Sequence, residues 1–417
     1  MTLQEEHPKD TKSILIDLTT FIPEPVQAAC QKLTSMGYKA WLAGGCVRDL
    51  LLKLTPRDWD IVTNAPLEAI RKSFPKHLEV GVAFGIVKLP PSNKENPLAI
   101  DIAIFRKEEG YSDLRHPDHV EPGDENTDSS RRDFTINALF YDLQNKQVID
   151  LVNGYKDLQL KILRTVGNPE TRFSEDALRI LRAARFNAQI GYKIEAETLS
   201  AMKKHSHLLK AISRERIREE MFRFLETSRV ISGLEILVKT HLWEEVFGIR
   251  RINLPADLRH FKTPWKPTAL DWLCAFATGG LLGNPQEEKS AIVERITQSL
   301  RFSNHEKQIF SQCLSTYEDS LGHSTYSPLE WVQLATEHKL LVDLLKLFLR
   351  RARGPTQEEK EKAISLLEQS IRWSLKKEAM KNWPNAQTLF KEGFKEGPKL
   401  GKELRLRHWQ LFWTMPK

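Results

Sequence analysis

The sequence predicts an α+β fold: a small head built on a mixed sheet, followed by modules that are all helical. Three observations predict it. Strand-like runs (KAWLA, DWDIV, AIDIAIF) are confined to the first third or so of the chain. After about residue 170 they give way to long 3.6-residue periods that read as helices. The 417 residues, 41% hydrophobic and 28% charged, are enough for two to four domains, each with a core of its own.

Residues 1–25 read as a flexible leader ending at Pro23-Glu24-Pro25. A helix over 26–36 follows and stops at Gly37. The apolar run 39–43 is a strand that enters Gly44-Gly45 and then a helix over 47–53. A second strand covers 58–62. Residues 66–74 form a helix with Pro66 in its first turn, where a missing N–H costs least. A hairpin is expected over 79–89, turning at Phe84-Gly85, and a further strand over 99–105. Residues 107–131 are polar, rich in Asp, Pro, Gly and Ser, and read as a long functional or mobile loop. Breaks at 253–267 and at Arg353-Gly354-Pro355 divide the helical remainder, and no internal repeat interrupts it.

Composition narrows the function classes. Lys and Arg total 62 against 55 Asp and Glu, a net charge of +7. That excess suits a polyanionic partner and does not by itself establish one. No apolar run reaches the roughly 18 residues of a membrane span. The polar N-terminus MTLQEEHPKD does not resemble a secretory signal. Cys30, Cys46, Cys274 and Cys313 form no CxxC pair, which disfavours a zinc site or a disulfide framework and suits a reducing cytoplasm. The expected location is therefore cytoplasmic, with no membrane and no obligate protein partner.

Two clusters carry chemistry. Asp58 and Asp60 flank Trp59, so on a strand both carboxylates project from one face. Such a pair can share divalent cations, and hard oxygen ligands suit Mg²⁺, which draws further ligands from water and a substrate triphosphate. Asp101, alone in an apolar strand, is a candidate third carboxylate, since an unpaired charge there would be costly. A lone Asp-x-Asp is common on loops and sheet edges; the strand residues around this one single it out. Upstream, Gly44-Gly45-Cys46-Val47-Arg48-Asp49 follows a strand and opens a helix. Glycines let backbone N–H groups approach an anion, and Arg48 adds a cation one turn in. An ordinary strand–helix turn also favours glycine, so the spacing to Pro56 and the carboxylate pair is what makes the pattern specific.

The stretch LAGGCVRDLLLKLTPRDWDIVT resembles the signature of the class II RNA nucleotidyltransferases of the polymerase-β superfamily. That family includes the CCA-adding tRNA nucleotidyltransferases, their split CC-adding and A-adding relatives, and bacterial poly(A) polymerases. RRDFTINA over 131–138, Arg172-Phe173 with EDALRILRAARF over 175–186, and the segment 213–224 around Glu215-Arg216-Ile217 are similar to its later motifs. The resemblance runs over 38–226, with a further likeness over 390–404; nothing over 227–385 contributes.

The resemblance implies a polymerase-β-like head over 26–150, a helical neck over 151–226, a helical body over 227–352 and an RNA-binding tail over 353–417. It implies that Arg132 contacts nucleotide phosphates, with Asp133 and Asn137 near the sugar. It further implies that Asp176 and Arg179 read the base edge in place of a template. Arg182 shares their helix face, whereas Arg185 lies about 180° from Asp176 on an ideal helix. An ion-pair ladder on a solvated helix is the plainer account of that three-residue spacing. The implied activity is addition of CCA, or part of it, to tRNA from CTP and ATP, with Mg²⁺ as cofactor and pyrophosphate as product. Poly(A) addition and split CC-only or A-only addition are the alternatives. EVGVAFGIVKL lacks the basic pair that bacterial poly(A) polymerases carry in that place, which favours tRNA.

Overall fold

The computed structural model describes residues 12–79, 85–90, 98–112, 117–249 and 289–308, with scattered positions beyond. The chain divides into two compact units, one formed by Met1–Arg216 with Ser232–Glu245, the other by Ile217–Ile231 with Val246–Lys417.

In the first unit the chain runs β1 (Lys12–Leu15), α1 (Glu24–Ser35), β2 (Ala40–Ala43), α2 (Gly45–Leu51), β3 (Asp58–Thr63) and α3 (Leu67–Ser73). Next come β4 (Leu78–Glu79), β5 (Ile86–Leu89), β6 (Ala99–Ile104), β7 (Arg106–Glu109), β8 (His119–Pro122) and α4 (Glu125–Ser130). A 3-10 turn at Thr135–Asn137 leads to β9 (Phe140–Asp142), β10 (Gln147–Asp150), α5 (Gly154–Leu160) and β11 (Ile162–Leu163). Helices then dominate: α6 (Pro169–Glu175), α7 (Leu178–Ile190), the short β12 (Lys193–Ile194) and α8 (Ala196–His205) in the first unit, α9 (Arg214–Leu225) mostly in the second, and α10 (Val230–Lys239) and α11 (Leu242–Phe247) mostly in the first. In the second unit α12 (Lys289–Ser299) is described.

Eight strands form one mixed sheet in the order β1-β10-β9-β2-β3-β6-β5-β4. β3 and β6 are its one parallel pair; every other neighbouring pair is antiparallel. The two faces differ. On one, Trp59 and Ile61 of β3 join Leu42, Ile100, Ile102 and the helix residues Val26, Leu33 and Ile70 in the main core. On the other, Val62, Ala43, Phe105, Phe140 and Ile149 make a small second cluster. Strand alternation puts Asp58, Asp60 and Val62 on that second face. One end of it is thus apolar, closed by the packed rings of Trp41, Phe105 and Phe140. The other end is acidic.

Two expectations need correction. Residues 12–22 are not leader: β1 pairs with β10 from Lys12↔Asp150 to Leu15↔Gln147, and the backbone N–H of Leu18 donates to the Tyr141 hydroxyl at 3.0 Å. Ile14, Ile16 and Leu18 alternate onto the core while Leu15 stays exposed, which is enough for an edge strand, and the polar neighbours hide it. The polar segment 107–131 is not a long loop either. It folds into the β7–β8 hairpin and α4, whose N-cap Asp124 makes a reciprocal pair of bonds with Thr127. Short charged strands at an exposed ribbon carry no hydrophobic signature to read. The expected hairpin over 79–89 is present as the β4–β5 pair, with its tip outside the described residues. The tail over 353–417, and the body over 227–352 beyond α12, fall mostly outside them too.

Candidate active site

The carboxylates lie side by side. Asp60 and Asp101 are direct partners across the parallel β3–β6 pair, and Asp58 is two residues from Asp60 on the same face. Although Asp60 keeps exposed surface, the protein around it strips enough solvation to push its carboxyl up to about 6. The Arg132 charge opposes that rise, and Asp101 and Asp58 add to it. Asp101 Oδ1 is buried and has no hydrogen-bond partner; Lys88 on β5 lies 3.5 Å from it as an ion pair.

The glycine turn adjoins this row. The Cys46 thiol of α2 contacts the Asp60 carbonyl oxygen at 3.8 Å, and burial pushes that thiol up to about 12, which keeps it protonated at neutral pH. Gly44 has φ +74°, and a Cβ there would lie 2.7 Å from Arg132 Nη1. Only glycine accepts both the conformation and the close approach. Arg132 itself is fixed by Asp128, which accepts at one oxygen from Arg132 (2.8 and 3.1 Å) and at the other from Arg131 (2.5 and 2.9 Å). The Arg132 guanidinium also covers the Phe140 ring at 5.2 Å.

A second network runs away from the turn. Arg48 is buried, donating to Asp49 and, at 2.6 Å, to Asn137 Oδ1. Asn137 Nδ2 donates to Asp133 Oδ1 at 3.0 Å, and Asp133 Oδ2 accepts two bonds from Arg182. Arg48, which the sequence reading made a fixed cation for the triphosphate, also ties α2 to the 3-10 turn. Arg48, Arg182 and Arg185 all lie over the Phe186 ring, at 5.2, 5.4 and 4.1 Å. Arg185 also donates to Gln189.

The proposed base-reading pair is arranged differently from a single helix face. Asp176 precedes α7 in extended conformation (φ −138°, ψ 101°), where its side chain caps the backbone N–H of Leu178. A break between α6 and α7 interrupts the run 175–186, because Asp176 prefers capping to a place inside the helix. Asp176 and Arg179 have separate partners. Both Asp176 oxygens accept from Arg216 Nη2 at 3.2 Å. Arg179 donates to Glu175 and to the carbonyls of Arg172 and Arg131. A ladder of pairs along one helix is not what forms. Sequence reading passed over Asp128, and it placed Glu175, Phe186 and Arg216 inside family-like motifs without giving them a partner. The i,i+4 spacings of Asp128 to Arg132 and of Glu175 to Arg179 could have found two of these contacts; nothing local signals that Arg216 meets Asp176 or that Arg48 lies over Phe186.

Among the described residues no three His, Cys, Asp or Glu side chains close around a metal position. What the sheet offers is an open pair, Asp58 and Asp60, with the orphaned Asp101 oxygen alongside. That fits a hard divalent cation which completes its shell with water and phosphate oxygens.

A mixed sheet carrying adjacent carboxylates beside a glycine turn roofed by arginine defines a nucleotidyltransferase. The family description "Poly A polymerase head domain" matches residues 40–164, and "Probable RNA and SrmB- binding site of polymerase A" matches 191–249. A CCA-adding enzyme of Lactococcus lactis subsp. cremoris (strain MG1363) is 32% identical over 382 residues, 91% of this chain and 89% of that protein. One from Lactobacillus helveticus (strain DPC 4571) is 43% identical over 219 residues, 52% of this chain and 53% of that protein. The solved Bacillus stearothermophilus CCA-adding enzyme in complex with CTP shares the fold, with TM-score 0.65 and 24% identity over 92% of each chain. The chain belongs to the family of CCA-adding enzymes and bacterial poly(A) polymerases, whose members use a divalent metal.

Proposed function

We propose that this chain adds CCA to the 3′ end of tRNA, using CTP and ATP and releasing pyrophosphate. The reading is carried by one relationship: Arg132 stands over the Gly44 turn beside Asp60, in a chain alike along 91% of its length to a CCA-adding enzyme. A solved relative of the same fold, a tRNA nucleotidyltransferase with primer tRNA and an ATP analogue, adds support, with TM-score 0.61.

Asp58 and Asp60, with Asp101 beside them, would hold Mg²⁺, which neutralises phosphate charge and favours the 3′-alkoxide. The RNA 3′-hydroxyl gives up its proton to solvent, and its oxygen bonds to the α-phosphorus of the nucleotide as the bond to pyrophosphate breaks. The backbone at Gly44-Gly45 and the Arg132 fork receive the triphosphate. Asp133 and Asn137, held by Arg182 and Arg48, face the sugar. Asp176 and Arg179 select the base: a carboxylate accepts from the exocyclic amine that CTP and ATP share, and a guanidinium donates to the neighbouring ring acceptor. UTP and GTP present a carbonyl and a protonated nitrogen there. The head over 26–150 and neck over 151–226 would carry the chemistry. The body over 227–352 and tail over 353–417 would hold the acceptor RNA, mostly by its phosphates, and the work would be done in the cytoplasm.

The test offers purified protein three tRNAs, ending before CCA, after C and after CC, together with an unrelated RNA. Each is incubated with CTP, ATP or both. Three added nucleotides followed by a stop is the expected result. Open-ended A tails on any RNA would make it a poly(A) polymerase, and A added to the CC-ended tRNA alone would make it a split enzyme.

A further inference from the structure

One charge at the carboxylate row has no part in the reaction as proposed. In the strand register Lys88 stands opposite Asp101 and Asp101 opposite Asp60, so the three form a line across β5, β6 and β3 on one face. Lys88 Nζ lies 3.5 Å from Asp101 Oδ1, the oxygen that no hydrogen bond satisfies. Both side chains are about one-third exposed, at 39% and 33%. The pair is therefore of the weak, half-solvated kind. Lys88 carries a flexible, strongly hydrated ammonium with open water to move into. Its charge also reaches Asp60.

We propose that Lys88 is a positioning residue that competes with the divalent cation for Asp101. In the free protein the ammonium occupies the carboxylate that neighbours Asp60. Asp101 turns to a cation held by Asp58 and Asp60 only when Lys88 swings out. Resting affinity for the metal is thereby kept low, and the third carboxylate is kept from repelling the other two. This inference rests on the metal-site reading given above.

Mn²⁺ is the probe, its binding to the full chain without nucleotide followed by loss of the free-ion paramagnetic signal. Wild-type binding that disappears in Asp60→Ala supports the metal-site reading. Lys88→Met then tightens Mn²⁺ binding roughly fivefold, the weight of a half-exposed ion pair. Lys88→Arg leaves it as weak as wild type. In the Asp101→Asn background, Lys88→Met changes affinity less than about twofold, since the contested oxygen pair is gone. Should Lys88→Met lower the melting temperature, Lys88→Gln takes its place in the same cycle. Unchanged Mn²⁺ affinity in the lysine variant overturns the inference and leaves the metal site standing. An undiminished effect in the Asp101→Asn background also overturns it, because the lysine would then act by plain repulsion. Absence of Mn²⁺ binding to wild type sinks the metal reading and the inference together.

Discussion

Arg182 of α7 grips Asp133 through Nε and Nη2, at 2.9 and 2.6 Å, across 49 residues of chain. The same carboxylate accepts from Asn137, so one buried Asp joins the 3-10 turn to α7. Burial alone would push the Asp133 carboxyl up; the Arg182 guanidinium, the Asn137 bond and the Arg179 charge more than offset it and hold it down to about 2. A carboxyl whose pKa falls on folding stabilises the protein while ionised. Its contribution, about 2 kcal/mol, is complete above about pH 4 and is lost as pH drops through about 2. Asp133→Asn should therefore be destabilised at neutral pH and show a flatter loss of stability between pH 4 and 2. Urea melts across that range test this; parallel curves for the two proteins would contradict it.

Asp60→Ala should lower nucleotide addition by several orders of magnitude while tRNA binding, measured by filter retention, stays within about twofold of wild type. Asp60 keeps exposed surface and lies outside both apolar clusters of the sheet, so the fold should survive the change. Retained addition would remove Asp60 from the metal site.

Gly44→Ala combines a positive φ with a Cβ placed 2.7 Å from the Arg132 fork. The strain should cost about 1–3 kcal/mol of stability. The displaced guanidinium should raise the KM for both CTP and ATP, with primer affinity unaffected. Equal steady-state constants for variant and wild type would show that the turn does not face nucleotide.

Asp128 is fully buried and ion-paired to both Arg131 and Arg132. Asp128→Ala should cost about 3–5 kcal/mol, because two guanidiniums lose their buried counter-ion. Calorimetric melting reads the loss. A shift of under about 1 kcal/mol would mean that water replaces the carboxylate.

Arg179→Ala should loosen the choice of base more than it slows addition. Competition among all four NTPs on one primer measures this directly. Unaltered preference for CTP and ATP would leave Arg179 as a strut held by Glu175 and the Arg131 and Arg172 carbonyls.

Local pattern determined a good deal of this protein. Alternation in DWDIVT and AIDIAIF is enough to put Asp58 and Asp60 on one face and to mark Asp101 as out of place in an apolar strand. A Gly-Gly step after a strand announces the turn. These features survive in the fold because strand and helix periods act within a few residues, where neighbouring side chains must share a surface. The tertiary structure decided the pairings. The parallel register sets Asp101 beside Asp60 and Lys88 beside Asp101; the sheet order recruits β1 from what reads as a leader. It also gave Asp176 to Arg216, 40 residues away, and enclosed Arg48 between Asp49 and Asn137. A guanidinium takes whichever carboxylate or carbonyl the packing brings within reach, and that depends on how distant elements stack, which no short-range periodicity encodes.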